Sequence, residues 1–295
     1  MRTILAYLLI GTVGLLVSCG REAADAEAAG RPSVVVSVLP HAYLVERIAA
    51  GHVDVHVLVG AGQNPHTFEP TPRQVSRLGR ADLFFTIGAP FEQTIVRKLS
   101  SGGRLRVVDT RRGIELATME EHGGHDHDHH EGDLDPHVWM SPPLAAIQAR
   151  TMCDALVELD GAHRDEYEAN LRQLAADLDA ADAEIAAVLA PLKGRTLYVF
   201  HPAFGYFARR YGLVQRAVET GGKSPAARDL KALIDQARGD GVRVIFVQPQ
   251  FSDHAARTVA EQIGGAVVPI DPLARDYLGN LRRIAGEIRR ALDTQ

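Results

Sequence analysis

From about residue 33 onward, the chain alternates short apolar runs with amphipathic segments. Runs such as 242–247 are almost continuously apolar, which is typical of parallel strands covered on both faces. Helical periodicity separates these runs, so the pattern predicts an α/β fold. Four strands are predicted in each half of this region, at 34–39, 53–59, 82–87, 105–108, 196–200, 213–218, 242–247 and 266–270.

A single long helix is predicted between the two groups of strands. Residues 163–189 contain no glycine or proline, and at 1.5 Å per residue they form a helix of roughly 40 Å. The apolar positions recur at spacings of three, four and seven, at Tyr167, Leu171, Leu174, Leu178, Ile185 and Val188. We therefore expect two lobes, each with a four-stranded parallel sheet flanked by helices, joined by one long rigid helix. Two lobes joined by one stiff helix should move less relative to each other than two lobes joined by two flexible segments.

The first twenty residues have the pattern of an export signal. Arg2 is followed by an apolar stretch at 4–17, which is short for a membrane span and fits a signal-peptide core. The stretch ends in Leu-Val-Ser-Cys19, which resembles the lipobox of bacterial lipoproteins. This predicts a signal peptide over 1–18 and a lipid on the Cys19 thiol, whose several acyl chains would anchor the protein to a membrane. A plain signal peptide with an incidental cysteine is the alternative.

The predicted domain boundaries follow from these patterns. Residues 19–32 form a lipidated, flexible tether, 33–160 the N-terminal lobe, 161–191 the linking helix and 192–295 the C-terminal lobe. A hydrophobic content of 46% is that of a soluble globular protein, and the net charge of −5 gives no reason to expect a nucleic-acid partner. Cys153 is the one other cysteine, so no internal disulfide is expected once Cys19 is lipidated. We expect a monomer.

An acidic, glycine-containing segment at 120–133 is unusually rich in histidine. It cannot bury a core, so it is predicted to be a loop. Its imidazoles could gather metal weakly and pass it on, or could sense excess metal. Alternatively, it is a solvated loop without a role. The candidate auxiliary ligands are His122, His125, His127, His129 and His130.

Four further donors each lie beside a proline in a loop: His66, His137, His201 and Asp271. Three of the four follow a predicted strand, and in open α/β sheets ligands bind outside the carboxyl ends of the strands. Three imidazoles and one carboxylate make a four-coordinate set suited to zinc. One such residue alone could equally well have a surface or capping role, but four together predict a metal site. His41, which also follows a strand end, is the strongest rival ligand.

These donors lie in four ordered motifs that resemble those of the zinc and manganese solute-binding proteins of bacterial ABC importers. The motifs occupy 62–72, 135–142, 200–207 and 270–273, and the resemblance covers nearly the whole chain from residue 34. It implies two α/β lobes joined by a long helix, with metal bound in the cleft between them. It also implies an ABC permease as partner and an extracytoplasmic location, which is the periplasm in a Gram-negative cell.

The third motif bears on the choice of metal. Manganese-selective members of the resembled family carry a carboxylate where this chain has His201. Zn²⁺ favours imidazole, whereas the harder Mn²⁺ favours oxygen. We therefore expect Zn²⁺ as the transported ion, with Mn²⁺ or Fe²⁺ as alternatives. Because metal binding needs neutral imidazoles, capture should weaken as the pH falls through the ordinary histidine range near 6.5.

Two other functional classes remain as alternatives to transport. A zinc hydrolase normally has three protein ligands and an open water position. Asp271 as a fourth ligand would close that position, and the chain has no His-Glu-x-x-His motif. Surface adhesion is the second alternative, and no residue pattern favours it over transport. We therefore expect a binding protein without catalytic activity.

Overall fold

The computed structural model describes residues 30–99, 104–119, 134–219, 227–251 and 254–293. The predicted signal peptide, the lipid attachment at Cys19 and the histidine-rich segment 120–133 lie outside the described residues. Pro32–Gln295 form one compact unit. None of the helices in the described ranges combines the length and hydropathy that a bilayer crossing requires.

The N-terminal sheet has four parallel strands in the order β2-β1-β3-β4. The strands are β1 (Ser33–Val36), β2 (Asp54–Val57), β3 (Leu83–Thr86) and β4 (Arg106–Asp109). The helices between them are α1 (Leu39–Ala49), α2 (Pro72–Leu78) and α3 (Pro90–Leu99). Strand β1 ends earlier than the apolar run predicts, because Pro40 lies in the first turn of α1 and the helix begins at Leu39.

The C-terminal sheet repeats this topology in the order β6-β5-β7-β8, again all parallel. Its strands are β5 (Thr196–Val199), β6 (Val214–Ala217), β7 (Val244–Val247) and β8 (Ala266–Pro269). In both sheets the chain runs from a central strand to one edge and then crosses to the other side. The carboxyl ends on either side of such a reversal form the crevice in which α/β proteins bind ligands.

Helices α4 (Pro142–Leu159) and α5 (Arg164–Leu189) lie between the two sheets in the chain. The C-terminal half adds α6 (Gly205–Tyr211), α7 (Ala227–Gly239), α8 (His254–Ile263) and α9 (Tyr277–Asp293). The predicted fold class, two four-stranded parallel sheets flanked by helices and joined by a long helix, is confirmed. The domain boundaries stay predictions.

The apolar stripe of α5 is buried as predicted, except at its end. Val188 is 41% exposed, and Leu189 is buried in its place. A step of four residues from Ile185 rotates about 40° around the helix, whereas a step of three rotates about 60° the other way, so Leu189 lies closer to the buried face. The stripe joins the lobes, because one continuous core cluster includes Val34 of the first sheet, Leu171 of α5 and Phe246 of the second sheet.

Candidate metal centre

His66 lies on a short 3₁₀ turn, Pro65–Thr67, that follows β2. Asn64 caps this turn, since its side-chain oxygen accepts a hydrogen bond from the backbone N–H of His66 at 2.9 Å. Pro65 presets the backbone at the start of the turn. The local sequence Asn-Pro-His therefore fixes the main chain of His66, while its half-buried ring depends on tertiary contacts.

His137 precedes a second 3₁₀ turn, Val138–Met140, which leads into α4. Asp135 Oδ1 accepts hydrogen bonds from the backbone N–H of His137 at 2.9 Å and from its ring Nδ1 at 2.7 Å. The side chains of both residues are buried. One carboxylate oxygen thus holds the main chain and the ring of this histidine together.

His201 follows the central strand β5 of the second sheet. Its backbone N–H donates to Gln248 Oε1 at 3.0 Å, and its carbonyl accepts from Gln248 Nε2 at 2.9 Å. The ring Nδ1 donates to Glu219 Oε1 at 2.5 Å. Phe251 stacks on the ring, with centroids 4.5 Å apart. Contacts therefore hold the main chain of His201, one nitrogen of its ring and one face of its ring.

The structure brings the three histidines to one point. Nε2 of His201 lies 3.0 Å from Nε2 of His66 and 3.4 Å from Nε2 of His137. One ligand atom from each residue lies within 4.8 Å of the others, and within the described ranges no second group of His, Cys, Asp or Glu meets this criterion. The cavity that they line measures about 20 Å³. A space of at least about 10–15 Å³ is needed to hold one water molecule, so this one fits a single ion.

Burial favours the neutral form of the His66 and His201 rings. Removal from water, with a smaller contribution from the nearby His137, lowers the pKa of His66 to about 4. The pKa of His201 is lowered well below its ordinary value, again chiefly by burial and then by the other two histidines. The sequence-based prediction that proton competition begins near pH 6.5 is therefore wrong for these two rings. The neutral form that binds metal persists in mild acid.

Asp271, the predicted fourth ligand, is not in the group of converging atoms. Its Oδ1 accepts hydrogen bonds from Gln250 Nε2 at 2.7 Å and from the backbone N–H of Leu273 at 2.9 Å. Both of these partners line the histidine cavity, whereas Asp271 lines a separate pocket. The carboxylate therefore lies behind the wall of the cavity in this structure.

His41, the rival ligand, lies away from the converging nitrogens. It is fully buried in α1, where its Nε2 lies 3.1 Å from Gln148 Nε2. Burial lowers its pKa to about 3. Its ring meets Trp139 edge-on, with centroids 6.0 Å apart. His41 is thus a buried core residue, and its ring contacts Trp139, which in turn contacts His137.

Trp139 connects the two lobes beside the site. Its indole N–H donates to the carbonyl of Pro272 at 2.9 Å, and its own carbonyl accepts from the hydroxyl of Tyr277. Its ring lies 5.4 Å from that of His137. It is the single tryptophan of the chain, so its fluorescence reports directly on this region.

Sequence reasoning missed Glu219 and the role of Asp135. Glu219 comes two residues after the end of β6, at the same end of a parallel strand where the sequence places metal ligands. The strand-end rule therefore contains a signal for it, although Glu219 does not lie beside a proline as the four predicted ligands do. Asp135 lies in the second motif, which by itself assigns it no function.

An open groove of about 580 Å³ lies outside the cluster, between the Pro65–Thr67 turn and α3. Phe68 and Phe91 meet edge to face within it, with centroids 5.1 Å apart. His66 lines both this groove and the inner cavity, whereas the other two histidines line the inner cavity alone. His66 is thus the cluster's most accessible ring.

Comparisons with known proteins identify the family to which the chain belongs. Residues 34–291 match the family model described as ZnuA, zinc-uptake complex component A, periplasmic. The chain is 29% identical over 271 residues to the high-affinity zinc uptake system protein ZnuA of Bacillus subtilis, covering 88% of this chain and 85% of that protein. It is 28% identical over 263 residues to the protein of the same name from Yersinia pestis, covering 82% and 83% of the two chains.

The fold has close counterparts among solved structures. A crystal structure of ZnuA superposes with a TM-score of 0.81 at 38% identity, covering 88% of this chain and 99% of that one. A ZnuA deletion mutant with zinc bound superposes equally well, at the same identity. The resemblance inferred from the four sequence motifs is confirmed. The chain belongs to the family of periplasmic A components of zinc-uptake complexes.

Proposed function

We propose that this protein captures Zn²⁺ outside the cytoplasm with high affinity and delivers it to an ABC-type permease. The observation that carries the proposal is the convergence of three imidazole nitrogens on a cavity of about 20 Å³. Nitrogen donors favour Zn²⁺ over the harder Mn²⁺. The zinc-uptake proteins named above support the same ion, and Mn²⁺ and Fe²⁺ are the competing cargoes to be tested.

The proposed ligands are His66, His137 and His201, with Asp271 as the fourth. The described hydrogen bonds to the Asp271 carboxylate all go to Oδ1, which leaves Oδ2 to bind an ion. Because this carboxylate lies outside the histidine group, its side chain or loop has to move when metal binds. A fourth protein ligand would complete the tetrahedral coordination typical of closed zinc sites.

We further propose that the protein is a monomeric lipoprotein. The lipobox-like sequence ending in Cys19 supports cleavage of a signal peptide and lipid attachment. The lipid would keep the carrier at the membrane that holds the permease, and the tether would raise its effective concentration there. All three converging histidines come from one chain, which supports a site that needs no second copy.

Catalysis is not part of this proposal. A hydrolytic zinc site needs an open coordination position and space for a substrate beside the ion. The cavity of about 20 Å³ between the three histidines has room for an ion, and the proposed fourth ligand Asp271 would close the remaining coordination position. The chemistry proposed is therefore ligand exchange: the ion exchanges its waters for protein nitrogens, and contact with the permease reverses this.

Metal analysis tests the proposal. We expect about one zinc per chain in protein purified without chelators, with most of it lost in His201→Ala. Competition with Mn²⁺ and Fe²⁺ should leave zinc in place. Substoichiometric zinc that His201→Ala does not change would contradict the proposal, and displacement by Mn²⁺ at equal concentration would change the proposed cargo.

A further inference from the structure

Two of the three ligand histidines are backed by buried carboxylates. His201 Nδ1 lies 2.5 Å from Glu219 Oε1, and both side chains are only 2% exposed. His137 Nδ1 lies 2.7 Å from Asp135 Oδ1, with side chains that are 6% and 3% exposed. In both pairs the carboxylate takes the ring nitrogen that faces away from the other histidines, while the Nε2 atoms lie 3.4 Å apart.

This arrangement settles which ring nitrogen is free to bind metal. A neutral imidazole carries one N–H, and its other nitrogen has the lone pair that a metal needs. A carboxylate that accepts at Nδ1 holds the proton there, so the lone pair is on Nε2. In both rings, Nε2 is the atom that faces the shared cavity.

The carboxylates are themselves held in place. The backbone N–H of Glu219 donates to the carbonyl of Phe200, the residue before His201, at 2.9 Å. The carbonyl of Asp135 accepts from the Tyr206 hydroxyl at 3.1 Å. The backbone of Gly205 approaches Asp135 so closely that a Cβ at this position would lie 2.8 Å from Asp135 Oδ2. A side chain at this position would therefore displace the Asp135 carboxylate.

His66 has no such support among the described hydrogen bonds. Its described partners are Asn64, whose side-chain oxygen accepts from its backbone N–H, and His201, whose Nε2 lies 3.0 Å from its own Nε2. Its ring is also the one that borders the outer groove. Among the described contacts, a carboxylate at Nδ1 thus occurs only at the two deeply buried ligands.

We propose that Asp135 and Glu219 are positioning residues that preset the tautomer and ring orientation of His137 and His201. Together they make these two histidines a preorganised half-site that exists before metal arrives. His66 then closes the site from the groove side. This role rests on the proposed function, because it concerns the same metal ligands.

The first test is independent of metal. Imidazole ¹⁵N NMR of the metal-free protein at pH 7 should show His201 with its proton on Nδ1, assigned by loss of the signal in His201→Gln. Glu219→Ala should shift that ring toward a mixture of tautomers. Glu219→Gln should keep the parent signal, because its amide oxygen accepts the same N–H. An unchanged His201 signal in Glu219→Ala would overturn the proposal.

The second test measures metal binding. Carboxylate partners of metal-bound histidines are worth about 10–100-fold in affinity, so Glu219→Ala should bind zinc about 10–100-fold more weakly and alter the visible Co²⁺ spectrum. Glu219→Gln should recover most of the parent zinc affinity and most of the parent Co²⁺ spectrum. Asp182→Asn is the matched control, since Asp182 is also buried and pairs with Arg210 and Tyr211 instead of a ligand. It should bind zinc as the parent does.

The outcomes separate the two proposals. Zinc affinity within twofold of the parent in Glu219→Ala, or an equal loss in Asp182→Asn, would overturn the positioning role. Parent-like zinc binding in His201→Ala would instead overturn the proposed function. If Glu219→Ala fails to fold in a thermal melt, Asp135→Ala and Asp135→Asn make the same comparison for His137 and decide the question.

Discussion

The inner and outer sides of the metal centre are built differently. The inner side consists of His137 and His201, which are 5% and 2% exposed and are backed by Asp135 and Glu219. The outer side is His66 on its 3₁₀ turn, half-buried and bordering the open groove. The same residue type thus occurs in two settings within a few ångströms.

This difference matches what a carrier has to do. A site that binds tightly benefits from ligands held in advance, because little ordering is needed when the ion arrives. A site that also has to release its ion needs a ligand that can withdraw first. The inner side fits the first requirement, and His66 fits the second because its ring has solvent on one side and no carboxylate behind it among the described contacts.

The largest expected effect comes from removing a single histidine ligand, and the inner and outer sides are tested in separate variants. His201→Ala should weaken zinc binding by about 4 kcal/mol, roughly 1000-fold, because Nε2 of His201 lies close to both other nitrogens. His66→Ala should cost about 3 kcal/mol, roughly 100-fold, because the preorganised pair remains. Competition with a chromophoric chelator measures both. A greater loss in His66→Ala would reverse the comparison.

Acid should destabilise the metal-free protein through His66. Its pKa is about 4 in the fold and 6.5 as the ordinary value, so below pH 6.5 the unfolded chain takes up a proton that the folded chain refuses. The free energy of unfolding should therefore fall by about 3 kcal/mol between pH 7 and pH 4 on account of this group. Urea unfolding should show the parent losing that much more than His66→Gln. Equal losses would contradict the inferred burial of this ring.

Substitution of Asp271 tests whether the outer side contributes a second metal ligand besides His66. If its carboxylate moves to the ion, Asp271→Asn should weaken zinc binding by about 1.4 kcal/mol, or tenfold. Gln250→Ala serves as a control, because Gln250 holds the same carboxylate without being a metal ligand. Isothermal titration of both variants checks this. Unchanged affinity in Asp271→Asn would leave a site of three histidines.

The smallest effect on the tight site is expected from deleting 120–133. Thr118 and Leu134 pair in an antiparallel bridge that brings the two ends of this segment together, so a short connection can replace it. The deletion should remove weaker zinc equivalents and leave the tight event unchanged in affinity. Titration followed by Trp139 fluorescence measures that event, since the ring lies beside His137. Loss of high-affinity zinc binding in the deletion variant would mean that the segment takes part directly in the metal site.

Much of the fold could be read from local pattern. The sequence pattern predicted all eight described strands, and β3 and β7 are buried along their whole length, as expected for apolar strands covered on both faces. The stripe on α5 was correct except at Val188, where the choice between two adjacent apolar residues depends on what packs against the helix end. The ends of strands were less predictable, as at β1, where an early helix start shortened the run.

The sequence alone determined the fold class and three of the donors that converge, because strand-end loops and their prolines are local features and parallel strands bring their carboxyl ends to one edge. Only the tertiary structure decided that Glu219 and Asp135 stand behind two of the histidines and that Asp271 lies behind the cavity wall. It also decided the lowered pKa of His66 and of His201. These properties depend on burial and on distances between residues far apart in the chain, which no local pattern encodes.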